Sequence, residues 1–260
     1  TIRPTQPDPV WAAVATGMYP WKNGVRSAGA YFAPGDDRPV DLLPSHCFSH
    51  VLVRLGVVRD QPNSSAAWRA RPLWSILNDY GISSGIVRWP LTYPALPLTG
   101  FLVTDRFHQL IGSMFEFDGR SAYPPEVVPV ARDAFEGSAT NSTDPPTAAA
   151  RWDEFYGRAF RELEALRPVQ LAAVRYQGLD SVGHFYLRYA EPRDFGGVSD
   201  EDRQRYGGVL DRYYAQVDGA IGAAVERLAP GDLLLVVSGF GMEPVSPIKQ
   251  AAARVLRDPD

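Results

Sequence analysis

The chain alternates between short runs of apolar residues and longer segments in which apolar residues recur with helical spacing. Four apolar runs predict strands, at residues 83–89, 100–105, 170–176 and 232–238. Because these runs lack a strict alternation of polar and apolar positions, they are typical of a parallel sheet that is covered on both faces. The last run contains five consecutive apolar residues, 233–237, and predicts a buried strand.

The segments around these runs carry the spacing and the end signals of helices. The first is predicted to begin with a cap at Asp8 and to end at Gly17, and the last to break at Gly207 and Gly208. The predicted helices span residues 8–20, 45–56, 71–81, 147–168 and 201–231. Strands alternating with helices predict an α/β fold, in which a doubly wound, mostly parallel sheet is flanked by helices. The prediction is a single domain over residues 1–260.

Residues 106–146 depart from this alternation because they are rich in loop-forming residues. They include the sequences YPPEVVP and GSATNSTDPP. Such a composition predicts a small insertion, or a lid over one end of the sheet.

Composition and charge narrow the classes of function. The 260 residues are 45% hydrophobic and 22% charged, which is typical of a globular protein, and the net charge is −4. This charge gives no reason to expect nucleic acid or an anionic membrane as a partner. No segment approaches the ~20 apolar residues that span a bilayer. The chain has one cysteine, Cys47. It begins without a methionine and ends on the polar residues RDPD, so we expect a fragment that is truncated at both ends.

The strongest candidate chemistry follows the third predicted strand. Ligands of open α/β sheets bind at the carboxyl ends of the strands, and Asp180 and His184 stand four residues apart just beyond 170–176. A carboxylate and an imidazole at this spacing can hold one zinc-like ion. The alternative is a structural role, in which Asp180 caps a helix that contains His184.

Weaker candidates occur elsewhere in the chain. His46 and His50 form a second pair with helical spacing, but no glutamate stands between them and the surrounding pattern is that of an ordinary amphipathic helix. Thr5 precedes the first helix, where a hydroxyl suits attack on phosphate, although a threonine in a proline-rich turn is the simpler interpretation. After the last strand, Ser238 is able to form a hydrogen bond or a turn, but the sequence Ser-Gly-Phe-Gly offers no firm metal ligand.

Four stretches, taken in order, resemble the alkaline phosphatase superfamily, and within it the type I phosphodiesterase/nucleotide pyrophosphatase group and its phosphohydrolase/phosphomutase relatives. The stretch 9–25 is similar to the segment after that group's nucleophile, and 81–105 to its strand, Pro-x-Thr-Tyr-Pro turn and next strand. The stretch 175–192 carries its Asp-x-x-x-His metal motif, and 233–244 carries the frame of its Ser-Asp-His-Gly motif. The resemblance implies an α/β core, two zinc-like ions, and a Thr or Ser nucleophile that forms a phospho-enzyme.

Residue by residue, the resemblance preserves only part of this site. Asp180 and His184 match two ligands of one ion, whereas Gly239 and Phe240 occupy the places of the Asp and His that hold the second. The resemblance thus implies one divalent metal site at most, with zinc as the expected ion. Two further ligands of the family are expected outside the chain, one before its first residue and one after its last.

The nucleophile is also displaced in this comparison. When the sequences are matched without a gap, the position of the family's nucleophile falls on Pro7, which has no hydroxyl. Thr5 takes this position only if a short insertion is allowed. Asn23 stands where a histidine often precedes the glycine in this family.

Two hypotheses of function follow. The first is a divergent phosphodiesterase or phosphohydrolase that cleaves a small phosphorylated substrate through one metal ion. The alternative is an inactive pseudo-phosphodiesterase that binds a ligand or a protein in the old cleft, beside Phe240. The residues predicted to line that cleft are Trp11, Trp89, Tyr93 and Ser238.

Overall fold

The structure is a computed structural model, and it describes residues 6–27, 29–40, 51–110, 119–138, 145–195 and 197–244. The strands are β1 (Gly29–Phe32), β2 (Arg59–Pro62), β3 (Ser84–Val87), β4 (Gly100–Val103), β5 (Ala122–Tyr123) and β6 (Leu171–Val174). The helices are α1 (Pro7–Thr16), α2 (Pro20–Asn23), α3 (Leu73–Asp79), α4 (Phe107–Leu110), α5 (Val128–Gly137), α6 (Pro145–Leu166), α7 (Gly178–Ala190), α8 (Pro192–Phe195), α9 (Asp200–Tyr206) and α10 (Val209–Val225).

Among the described residues, four strands form the main sheet in the order β5-β4-β3-β6. Strand β3 lies parallel to both β4 and β6, and Ser84 is in register with Gly100 on one side and with Leu171 on the other. The short strand β5 is antiparallel to β4. Strands β1 and β2 form a separate antiparallel pair. Three of the predicted strands are therefore confirmed, as is a mostly parallel sheet.

Helices cover both faces of this sheet. Alternate residues of a strand point to opposite faces, so Val87 and Phe101 pack against helix α6 while Ile86 and Leu102 pack on the other side. Residues of α1 and α3 line the second face, beside Ile86 and Leu102. The doubly wound α/β arrangement predicted from the sequence is thereby confirmed.

The helix boundaries agree with the sequence in most places. Helix α1 ends where Gly17 takes a left-handed conformation, with φ at 65°. Its cap is Gln6, whose side chain makes no capping hydrogen bond, and Asp8 lies in the first turn instead, so the prediction of an Asp8 cap is wrong. The predicted break at Gly207 and Gly208 separates α9 from α10. Residues 51–54 are helical, whereas the preceding part of the helix predicted at 45–56 lies outside the described residues.

The prediction of a buried strand at 233–237 is wrong. No strand is found there, and the five side chains are between 36% and 79% exposed. The physical reason is pairing: a strand is stabilised by hydrogen bonds to a neighbour, and β6 is the last strand of the sheet on its side within the described part of the chain. An apolar composition alone does not provide that neighbour.

The segment 106–146 contributes α4, β5 and α5, and it lengthens the sheet by one strand. Residues 111–118 and 139–144 of this segment are outside the described part, and its role as a lid stays a prediction. A search of the described residues found no helix with the length and apolarity needed to cross a membrane.

Candidate functional site at the carboxyl edge of the sheet

Charged side chains follow each of the three parallel strands. Arg88 comes directly after β3, Asp105 lies two residues beyond β4, and Arg175 comes directly after β6. Asp8, in the first turn of α1, interacts electrostatically with Asp105 and with Arg175. Because the carboxyl ends of parallel strands meet at one edge, the fold collects these four charges at that edge of the sheet, which we call the cleft.

Burial sets the protonation of the two acids in this cleft. The pKa of Asp8 is raised to about 6, chiefly because the carboxylate is desolvated, and a 3.4 Å hydrogen bond from Asn63 opposes this shift. Burial also raises the pKa of Asp105, although Arg106 and a hydrogen bond from Thr92 lower it. Both acids therefore hold a proton more readily than an exposed aspartate does.

A buried ion pair anchors the helix that carries the candidate metal ligands. Arg88, with φ at 57°, forms an ion pair with Asp153 of α6, and both side chains are almost completely buried. Asp153 also accepts hydrogen bonds from the backbone amides of Gln177 (3.0 Å) and Gly178 (2.9 Å). The hydroxyl of Tyr213 donates a further bond of 2.9 Å to the same carboxylate. Asp153 thus ties the start of α7 to the end of β3, to α6 and to α10.

This anchor requires a glycine at position 178. A side chain there would collide with the hydroxyl of Tyr213 and would come within 2.7 Å of Oδ2 of Asp153. Burial, followed by the charge of Asp153, raises the pKa of Tyr213 well above its usual range, so the phenol stays protonated as the donor. The sequence Gln-Gly-Leu-Asp therefore begins α7 at a fixed position, one turn ahead of His184.

Asp180 and His184 lie on one side of α7. The Oδ1 atom of Asp180 is 3.6 Å from Nε2 of His184. Asp180 does not cap the helix, because the N-cap residue is Gln177 and Asp180 lies in the first turn. The side chain of Asp180 is 23% exposed and that of His184 is 73% exposed. The pair therefore faces a solvent-accessible side of the helix.

The segment 238–242 passes between α1 and α7. A Cβ atom at Gly239 would lie 3.0 Å from Cγ1 of Val10 and 3.4 Å from Cε2 of Trp11. A Cβ atom at Gly183 would collide with the side chain of Met242. These close approaches place Gly239 beside α1 and Met242 beside α7, the helix that carries Asp180.

The aromatic residues predicted for the cleft do not all lie together. The rings of Trp11 and Trp89 meet edge to face, with centroids 5.3 Å apart. Tyr93 lies under the guanidinium groups of Arg106 and Arg120 instead. Ser238 is exposed and donates a 3.3 Å hydrogen bond to the carbonyl of Phe240.

The side chains of Asp180 and His184 could provide part of one metal site. The side chains of Gly239 and Phe240 could not provide any of a second. Two ligands about 2.1 Å from the same zinc ion stand roughly 3 to 4 Å apart, which agrees with the separation of Asp180 and His184. Within the described residues, no group of three His, Cys, Asp or Glu side chains could hold a metal ion. Gly239 and Phe240 provide no ligand atom from their side chains. The weaker candidates Thr5, His46, Cys47 and His50 lie outside the described residues.

Several functional candidates escaped the sequence analysis. Asp105 is the last residue of the predicted strand 100–105, and Arg175 is the last but one of the predicted strand 170–176. The attention to strand ends that selected Asp180 could therefore have selected both. Asp8 was considered only as a helix cap. Asp153 sits in the middle of a long amphipathic helix, and nothing in its local pattern indicates that it organises the site.

A comparison with models of protein families identifies the family of the chain. The family model of type I phosphodiesterase / nucleotide pyrophosphatase matches residues 1–258. The chain belongs to this family. The type I phosphodiesterase/nucleotide pyrophosphatase family is one of phosphoester hydrolases that generally depend on metal ions, and the α/β fold agrees with it. Neither the curated proteins nor the solved structures compared with the chain gave a match.

Proposed function

We propose that this family member hydrolyses phosphate esters of small molecules with one divalent cation, expected to be zinc, held by Asp180 and His184. The observation that carries the proposal is the 3.6 Å separation of Oδ1 and Nε2 on one side of α7. A cation bound there supplies positive charge to a phosphoryl oxygen and lowers the pKa of a bound water molecule. The second metal position of the family is taken to be lost at Gly239 and Phe240.

The residues around this pair support the proposal. Asp153 fixes the first turn of α7 through two backbone amides, so the position of Asp180 is defined by a buried network. Electrostatic interactions of Arg175 with both Asp180 and Asp8 support a position of Asp180 near the carboxyl edge of the sheet. Thr5, just ahead of α1, is the proposed nucleophile.

The experiment is a hydrolysis assay with bis(p-nitrophenyl) phosphate in the presence of zinc. The proposal expects turnover by the unaltered chain and a loss of about 100-fold or more in Asp180→Ala, His184→Ala and Thr5→Ala, as is usual when a group that stabilises the transition state is removed. Asp194→Ala removes an exposed carboxylate from α8 and is the matched control, so it should keep full turnover.

A second candidate function is a binding module that has lost catalysis. It is favoured by the neutral pair Gly239 and Phe240 and by the contact between Trp11 and Trp89, which gives the cleft an aromatic wall. Absence of turnover above a blank without protein, at every zinc concentration tried, would contradict the hydrolase proposal and favour this one.

A further inference from the structure

Arg175 is buried with little to balance its charge. It is 7% exposed, and its Nη1 atom donates one hydrogen bond of 3.3 Å to Oε1 of Gln177. Its Nε atom is buried and has no partner among the described residues. Arg175 forms none of the ion pairs within 4 Å found among the described residues. A buried guanidinium with five N–H donors is costly unless most of them are bonded, so this arrangement calls for an acceptor.

The electrostatics of the cleft show that Arg175 keeps its charge. Burial, and then repulsion from Arg88, lower the pKa of Arg175 to about 10, while Asp8, Asp105 and Asp180 act in the opposite direction. The group is thus a cation at neutral pH. The three carboxylates attract it from a distance without pairing with it.

Two neighbouring side chains also present unused donors. The guanidinium of Arg175 lies over the ring of Trp11, 5.3 Å from its centroid, and Trp11 meets Trp89 edge to face. The indole N–H groups of Trp11 and Trp89 are both buried, and neither has an acceptor within the described part of the chain. Buried donors nearly always have a partner, and here Arg175, Trp11 and Trp89 each keep one buried N–H without a partner among the described residues.

These donors adjoin the half of the site that has no metal ligands. The Cε2 atom of Trp11, which is bonded to its Nε1, lies 3.4 Å from the Cβ position at Gly239. The unused N–H of Trp11 is therefore close to the neutral pair Gly239 and Phe240. A guanidinium binds two oxygens of a phosphate group at once, so it can neutralise charge that a second metal ion would otherwise neutralise.

We propose that Arg175, assisted by the indole N–H groups of Trp11 and Trp89, binds the phosphoryl group of the substrate in place of a second metal ion. The proposal rests on the hydrolase function above, because it names the group that holds the substrate of that reaction. It differs in needing no metal for binding. Phosphate should bind to the chain even when every divalent ion is removed.

The test is calorimetric titration of the chain with inorganic phosphate in the presence of EDTA, with potassium chloride at matched ionic strength as the blank. Saturable binding of one phosphate per chain is expected, and Arg175→Met should weaken it about tenfold or more because a charged hydrogen-bond donor is lost. Arg175→Lys keeps the charge without the paired donors and should weaken binding less than Arg175→Met. Arg167→Met, which removes an exposed arginine next to the end of α6, is the matched control and should bind as the unaltered chain does.

The outcomes separate this inference from the proposed function. Phosphate binding that persists in EDTA and falls in both Arg175 variants supports the inference, whether or not the chain turns over a substrate. Equal phosphate affinity in the unaltered chain and in Arg175→Lys and Arg175→Met, or heat from phosphate no greater than from chloride, overturns it. If Arg175→Met does not fold, Arg175→Lys, together with the rise in melting temperature that phosphate gives the unaltered chain, decides the question. Zinc-dependent turnover that is lost in Asp180→Ala, His184→Ala and Thr5→Ala, but is unchanged in the Arg175 variants, would still leave the hydrolase proposal intact.

Discussion

The two halves of the candidate site are built in different ways. Helix α7 carries Asp180 and His184 and is fixed by Asp153, which receives two backbone amides, a tyrosine hydroxyl and a guanidinium. The segment 238–242 approaches the same cleft through close contacts of glycines, and it follows an apolar run that is exposed. The position of a backbone and the chemistry of its side chains are therefore separate properties. In the proposed site, segment 238–242 keeps its position beside α1, and Gly239 and Phe240 offer no side-chain ligand.

Removing the anchor of the first half is expected to have the largest effect. In Asp153→Ala, Arg88 loses its buried partner, and the free energy of unfolding should fall by about 3–5 kcal/mol. Asp153→Asn keeps the shape of the side chain and part of its hydrogen bonding, so the free energy of unfolding should fall by less in this variant. Urea unfolding followed by circular dichroism measures both values, and a loss below about 1 kcal/mol in Asp153→Ala would show that α7 does not depend on this network.

The charge of Asp8 should make the stability of the cleft depend on pH. The folded chain keeps this proton up to about pH 6, whereas the unfolded chain releases it near 3.8, so the free energy of unfolding should fall as the pH rises through this window. Asp8→Asn removes the buried charge and keeps an acceptor for Asn63. It should be more stable than the unaltered chain by up to about 3 kcal/mol at pH 7, and the difference should vanish near pH 4.

The control for this titration is Asp194→Asn, which removes an exposed carboxylate from α8. Its difference in stability from the unaltered chain should be small at both pH values. A stability difference for Asp8→Asn that is the same at pH 4 and pH 7 would mean that burial of the Asp8 charge is not its cause.

The contact between the two halves can be loosened from the α7 side. In Gly183→Ala the new methyl group meets the side chain of Met242, which must move, and we expect a loss of about 1–3 kcal/mol in the free energy of unfolding. Met242→Ala should remove the collision, so the double variant should lose less than the sum of the two single variants. Strictly additive losses would show that segment 238–242 does not lie against α7.

The same contact can be tested from the other half with a smaller effect. Gly239→Ala places its Cβ atom 3.0 Å from Cγ1 of Val10, which can shift by a few tenths of an ångström, so a loss of about 1 kcal/mol is expected. The emission of Trp11 should change with it, and Trp11→Phe is the control that assigns the signal. Unchanged fluorescence would place Gly239 away from this indole.

The sequence predicted those parts of the fold that depend on local pattern. Strands β3, β4 and β6 and the break at Gly207 and Gly208 follow from apolar runs and from glycines whose effect is local. The exposed run 233–237 was mispredicted because burial of a strand depends on a neighbour that its own residues do not specify. The distance between Asp180 and His184 followed from helical spacing. The anchoring role of Asp153 depends on tertiary contacts between distant segments, which no local pattern indicates. The position of Arg175 at a strand end is local, but the lack of an ion-pair partner for it among the described residues is a tertiary property.

The most direct test of the central claim is the zinc stoichiometry of the unaltered chain, measured by equilibrium dialysis. The account predicts one ion per chain, bound at least about tenfold more weakly in Asp180→Ala and in His184→Ala because each removes a protein ligand. Two equivalent ions per chain, or an affinity that neither substitution changes, would contradict the claim that a single half of the metal site survives on α7.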